Sequence, residues 1–433
     1  MATKQQKQMR LRLIIMNFLE FAVWGAYLTS QGRYLASVNL GPQIGWFYSI
    51  QGIVSIFMPA LIGIIADKWI PAQKTLSLCH FLAGAFILAA GIYGQTAGDA
   101  VQFGTLFTLY SLSVAFFMPT LALSYSVSYC ALDSVNMDTV KDFPPIRVFG
   151  TIGFICSMWF VDLTGFQNTS MQYIASGVIA MVLAAYALTM PACPVNRNAE
   201  KKSVVDAMGL RAFTLFKDSK MAVFFIFSML LGIALQITNS FANPFLSDFG
   251  EIEQYAGTFG VKHSNMLISL SQVSETLCIL LIPFCLRKFG IKKVMLIAMF
   301  AWVLRFAFFG LGNPGNGVWL FILSMIVYGV AFDFFNISGS LFVDTTTDTS
   351  IRNSAQGLFI MMTNGIGPAI GTIAAQAVVN HFILSGGEKL QGEQLIAGWD
   401  NAWFVFAAYA LVLFILFSIC FKYKHTPEAQ QSK

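Results

Sequence analysis

Val101–Leu123 reads VQFGTLFTLYSLSVAFFMPTLAL, a run without one charged residue. Roughly 20 apolar residues in an α-helix cross the hydrocarbon core of a bilayer, so this run predicts a membrane span. Leu11–Tyr34 and Phe404–Phe421 continue the pattern. The whole chain shares the bias: 56% of its 433 residues are hydrophobic and 11% charged, with a mean hydropathy of +0.67. Soluble domains carry about 25% charged residues. A soluble enzyme, a nucleic-acid binder and a disordered scaffold are excluded. The chain is an integral membrane protein.

Apolar runs place spans near 11–36, 42–66, 74–96, 101–130, 146–166, 171–190, 221–247, 264–286, 294–311, 317–343, 355–381 and 402–421. A membrane β-barrel would show alternating ten-residue segments instead. The expected class is an all-α membrane protein of twelve transmembrane helices. Basic residues orient it. If both termini share one side, 21 basic residues fall there, among them Lys4, Arg10, Lys68, Lys74, Arg197, Lys202, Arg287, Lys293 and Lys422. The opposite loops hold Lys262 and Lys389. The positive-inside rule puts the richer side, and both termini, in the cytoplasm.

A cleavable signal peptide is not expected, since the first apolar run has the length of a span and carries Glu20 in its middle. Seven scattered cysteines without a C-x-x-C read as small apolar fillers. Four histidines, His80, His263, His381 and His425, stand singly near span ends without metal-ligand spacing. No metal, cofactor or nucleic-acid partner is expected, and the lipid bilayer is the surrounding partner. The Gly-x-x-x-x-Gly-Lys-[Ser/Thr] phosphate loop is absent, so direct ATP drive is unsupported.

The spans fall into halves: a six-helix bundle over 1–190, a basic cytoplasmic connector over 191–220, and a second bundle over 221–433. Corresponding spans carry similar features, the sign of duplicated halves. Span 5 carries Gly150-Thr-Ile-Gly153, and span 11, its counterpart in the second half, carries Gly365-Ile-Gly367 and Gly371. Such small residues let helix backbones approach closely in lipid. A turn, Gly63-Ile-Ile-Ala-Asp67-Lys68, follows span 2, and Arg287-Lys-Phe-Gly-Ile-Lys-Lys293 follows span 8. The Gly63, Asp67, Lys68 motif resembles the cytoplasmic loop signature of the major facilitator superfamily, although Pro71 and Ala72 stand where Gly and a basic residue often follow. That resemblance implies two pseudo-symmetric six-helix bundles and alternating access by rocking one against the other.

Polar side chains within spans mark a candidate solute path, because a mid-membrane charge costs about 2.5 kcal/mol or more on insertion scales. Glu20, Arg147, Glu275, Arg305 and Asp333 are such charges. Around them stand stripes at helical spacing: Arg147, Thr151 and Phe154; Gln236 and Asn239; Gln272 and Glu275; Tyr328, Phe332 and Asn336 beside Asp333. Paired amides can bond a base edge, aromatic faces can stack on a flat ring, and a carboxylate can accept from vicinal hydroxyls. A nucleoside and a sugar satisfy this chemistry about equally. The plainer readings are helix–helix hydrogen bonding for Gln236, Asn239 and Gln272, a backbone carbonyl or lipid headgroup for Arg305, and a structural partner on another span for Glu20.

The stretches Asp142–Phe154, Phe224–Gly232 with Leu235–Asn239, and Ser324–Ser340 resemble the bacterial nucleoside:proton symporters, a family of the major facilitator superfamily. The likeness runs from about residue 10 to residue 425. It implies a secondary transporter, not an enzyme, importing nucleosides with protons across a bacterial inner membrane as a monomer. The nucleoside contacts it implies are Arg147, Thr151, Phe154, Gln236, Asn239, Gln272, Glu275, Tyr328 and Phe332. Glu275 and Asp333, then Glu20, are the proton-coupling candidates, with Arg147 as a permanent counter-charge. A proton-coupled transporter of sugar or another small polar solute, and an exporter, are alternatives on the same scaffold. A membrane enzyme or sensor finds no catalytic dyad or effector domain to support it.

Overall fold

The computed structural model describes residues 3–195, 210–348 and 351–423, without the side chains of Asp67, Val140, Leu210, Arg211 and Asn353. Residues 196–209 of the connector and the side chain of Asp67 thus lie outside the described residues. The chain separates into two compact units, Met1–Ala207 and Met208–Lys433. The first holds α1 (Lys4–Gly25), α2 (Ile44–Lys68), α3 (Ala72–Ala97), α4 (Phe103–Asp133), α5 (Thr139–Leu163) and α6 (Met171–Ala187). The second holds α7 (Ser219–Asp248), α8 (Ser264–Ile279), α9 (Ile282–Leu311) and α10 (Val318–Thr346). It continues with α11, whose α segments Arg352–Ile360 and Gly367–Ile383 are joined by a π-helical stretch, Met361–Ile366, and with α12 (Gly392–Cys420). Among the described residues the architecture is all-α, with twelve long helices in two six-helix bundles, apart from a short antiparallel pairing of Leu384–Ser385 with Glu388–Lys389.

Nine helices among the described residues are long and apolar enough to cross a membrane. The other three have local reasons to fall short. α1 begins in the charged tail, where Thr3 and Gln6 close a reciprocal capping box. α6 and α8 have 17 and 16 residues. Apolar side chains such as Leu112, Phe160, Leu280 and Ile419 are exposed, while Glu20, His80, Arg305 and Asp333 are buried. That inversion suits a hydrocarbon solvent, in which polar groups must find partners inside the protein.

Several boundaries differ from the sequence reading. Span 1, expected over 11–36, ends as a regular helix at Gly25 and resumes as a short helix, Gln31–Ser37. Span 8, expected to reach residue 286, stops at Ile279, because Pro283 has no N–H to continue the ladder and instead starts α9. The loop expected at Arg287–Lys293 is helix on both sides of one break at Gly290, whose φ of 77° suits glycine. Gly63 and Lys68, expected in a turn, lie inside the last turns of α2, and the chain leaves the helix at Trp69.

Within each unit, glycines set the closest helix crossings. A Cβ on Gly153 of α5 would collide with the Phe18 carbonyl of α1, and one on Gly25 with the Phe154 carbonyl. In the second unit, a Cβ on Gly232 of α7 would collide with the Thr363 carbonyl of α11, and one on Gly367 with the Met229 carbonyl. The same device thus joins first helix to fifth in both units.

Candidate functional site: polar stripes within the two bundles

In the first unit, α5 carries the expected stripe. The Arg147 guanidinium lies 3.8 Å above the Phe21 ring, and its Nε donates to Tyr125 Oη at 2.8 Å. No carboxylate pairs with Arg147 among the described residues; an aromatic face and a phenol hold it. Thr151, one turn on, is half-buried. Phe154 is buried and meets Trp24 edge to face at 6.3 Å. Trp24 was missed by the sequence reading: its Nε1 is buried without a hydrogen-bond partner. A buried indole N–H normally finds an acceptor, and i, i+4 spacing from Glu20 is the signal that could have drawn attention to it.

Glu20 is wholly buried inside the first bundle. Its Oε2 lies 2.7 Å from His80 Nε2, and its Oε1 accepts from Thr120 Oγ1 at 2.6 Å. His80, expected as a lone residue near a span end, sits two turns inside α3 and is wholly buried. No spacing signal marks this pair, whose members stand 60 residues apart.

In the second unit, Asn239 Nδ2 donates to Gln236 Oε1 at 3.0 Å along one face of α7. On α8, Gln272 Oε1 is buried without a partner, an acceptor open to a ligand's donor. α8 meets α10 where Gly329 leaves room: a Cβ there would lie 2.6 Å from the Ser274 carbonyl carbon and oxygen. The Ser274 hydroxyl also donates to the Ile326 carbonyl. This contact sets the Glu275 backbone against Gly329, which lies between Tyr328 and Asp333 on α10. Asp333 is buried, with Oδ2 unpartnered.

Tyr328 and Phe332, one turn apart on α10, lie parallel, with 4° between ring planes and 5.7 Å between centroids. Arg305 on α9 backs Tyr328, with its guanidinium 4.6 Å from the ring centroid. Its Nη1 donates to the Ser324 carbonyl at 2.7 Å, the backbone anchor expected of the plainer reading. Phe332, Asn336, Leu235 and Asn364 border an open cleft between α7, α10 and α11. The structure therefore gathers Glu275, Tyr328, Phe332 and Asp333, and pairs Gln236 with Asn239. No hydrogen bond among the described residues joins Gln272 to either of those two.

A family model described as nucleoside H+ symporter matches residues 7–426. The chain belongs to that family. It is 47% identical to the xanthosine permease of Escherichia coli (strain K12) over 96% of this chain and 97% of the permease. It is 45% identical to the nucleoside permease NupG of the same organism, again over 96% and 97%. A crystal structure of the nucleoside transporter NupG superposes with a TM-score of 0.87 at 44% identity, covering 96% of this chain and all of that one. A bacterial homologue of the human lysosomal transporter Spinster, 13% identical with a TM-score of 0.66 over 98% of this chain and all of its own, shares the fold alone. A nucleoside:proton symporter of this family is a multi-pass membrane transporter and not an enzyme.

Proposed function

We propose that this chain imports nucleosides with protons across a bacterial inner membrane by alternating access, as a monomer with both termini in the cytoplasm. The bundles over 1–190 and 221–433 are the moving halves, joined by the connector over 191–220. Arg147, Thr151 and Phe154 contact the nucleoside from the first bundle. Gln236, Asn239, Gln272, Glu275, Tyr328 and Phe332 contact it from the second. The parallel Tyr328 and Phe332 rings offer a stacking face for a base. Glu275 accepts from the ribose hydroxyls. Glu275 and Asp333 are the first candidates for the coupling proton and Glu20 the third, with Gly63, Asp67 and Lys68 a structural motif at the end of α2.

The observation that carries this reading is the grouping of two carboxyl groups with an aromatic platform on α8 and α10. The test is uptake of labelled uridine and adenosine into vesicles holding the purified protein. An inward proton gradient should drive accumulation, a protonophore should abolish it, and free sugars should not compete. Accumulation unchanged by the protonophore, or blocked by sugars, would overturn it.

A further inference from the structure

The cleft between α7, α10 and α11 is bordered by two amides to which no role has yet been given. Asn336 stands one turn beyond Phe332 and two beyond Tyr328, at the edge of the parallel rings. Its Nδ2 donates one proton to the Phe332 carbonyl at 3.0 Å, leaving its Oδ1 and second N–H for another partner. Asn364 borders the same cleft from α11; it is exposed, and its side chain makes no hydrogen bond among the described residues.

Asn364 owes its position to a break in regular helix. In an α-helix its carbonyl would accept from residue 368, which is Pro368 and has no N–H. The helix widens to a π stretch over Met361–Ile366, with Gly232 of α7 pressed against the Thr363 carbonyl and Gly367 against that of Met229. Such π segments occur often at functional sites, where they re-aim side chains.

We infer that this cleft reads the base. A base lying against Phe332 presents its hydrogen-bonding edge to Asn336 and Asn364, and these two amides set the preference among nucleosides. The inference rests on the nucleoside reading above and deepens it. Each amide offers both donor and acceptor, which matches the amide-like edge of a base. None of the bordering residues is charged, and Trp302, Phe335 and Leu235 supply apolar walls. Ribose hydroxyls are better matched by the Glu275 carboxylate, outside this cleft.

Asn364→Ala and Asn336→Ala in the full chain, compared with wild type for binding and uptake of uridine, adenosine, inosine and xanthosine, test the inference. All four share the ribose. Loss of a base contact should shift the ratios among them about three- to tenfold, the usual range for one hydrogen bond. An equal loss for all four, or unchanged ratios, overturns the assignment. Asn364→Ala alone carries the test if Asn336→Ala does not fold, since Asn364 is exposed and unbonded. Wild type that transports no nucleoside would instead sink the parent reading, while wild-type transport with unmoved ratios sinks only the subsite.

Discussion

His80 Nε2 lies 2.7 Å from Glu20 Oε2, and neither side chain is exposed at all. The pair, with Thr120 on the second carboxylate oxygen, ties α1, α3 and α4 together inside the first bundle. His80 Nδ1 has no partner, so the ring can serve Glu20 only through Nε2.

Removing one partner of a buried hydrogen bond leaves the other unsatisfied and typically costs about 1–3 kcal/mol. Glu20→Ala should therefore lower the midpoint of thermal unfolding in detergent well below that of wild type. Glu20→Gln keeps an oxygen for Thr120 and should cost less. Unfolding midpoints for both variants equal to wild type would show that the pair contributes nothing to the bundle.

Arg147 is held by a flat contact with Phe21 and one bond to Tyr125. Lysine keeps the charge but cannot reproduce a planar guanidinium stacked on a ring. A desolvated cation–π contact is worth up to about 2 kcal/mol, so Arg147→Lys should weaken nucleoside binding roughly tenfold or more. Titration calorimetry with uridine measures it, and wild-type affinity would remove Arg147 from the contact set.

Glu275 and Asp333 lie on α8 and α10, which meet at Gly329, yet their substitutions should separate binding from coupling. Glu275→Gln should weaken nucleoside binding about ten- to hundredfold, the loss expected of one or two hydrogen bonds to a charged group. Asp333→Asn should keep equilibrium exchange of nucleoside and lose accumulation driven by a proton gradient. Wild-type accumulation by Asp333→Asn would move the coupling proton elsewhere.

Gly329 and Gly63 make a matched pair of controls. Alanine at Gly329 would press on the Ser274 carbonyl and displace α8 with Glu275, costing about 1–3 kcal/mol and reducing uptake. At Gly63, inside α2, a Cβ meets nothing within 4 Å, so Gly63→Ala should stabilise by up to about 1 kcal/mol. Unfolding midpoints and uptake rates, measured side by side, check both signs.

Long apolar runs interrupted by basic loops made the twelve helices legible. So did the stripe on α10, because i, i+4 spacing puts Tyr328 and Phe332 on one face wherever the helix packs. The glycines of spans 5 and 11 were read correctly as points of close approach, but which helix they would meet was not readable. His80 was read as isolated, since its partner lies in another helix 60 positions away. The break after Ile279 was not legible because Leu280, Leu281 and Ile282 continue the apolar run while Pro283 ends the ladder, whereas the turn expected at Arg287–Lys293 does hold a break, at Gly290. Hydropathy does not register a missing N–H.

What the sequence alone determined is everything that depends on local period and on transfer into lipid: that the chain crosses the membrane, how often, and which side chains share a helix face. Those properties need only the 3.6-residue repeat and the cost of burying charge in hydrocarbon. Which helices touch, and therefore that Glu20 meets His80 while Glu275 approaches Asp333, was decided by tertiary packing. Partner choice depends on where small residues such as Gly329 allow two backbones to meet, and that is a property of two surfaces at once.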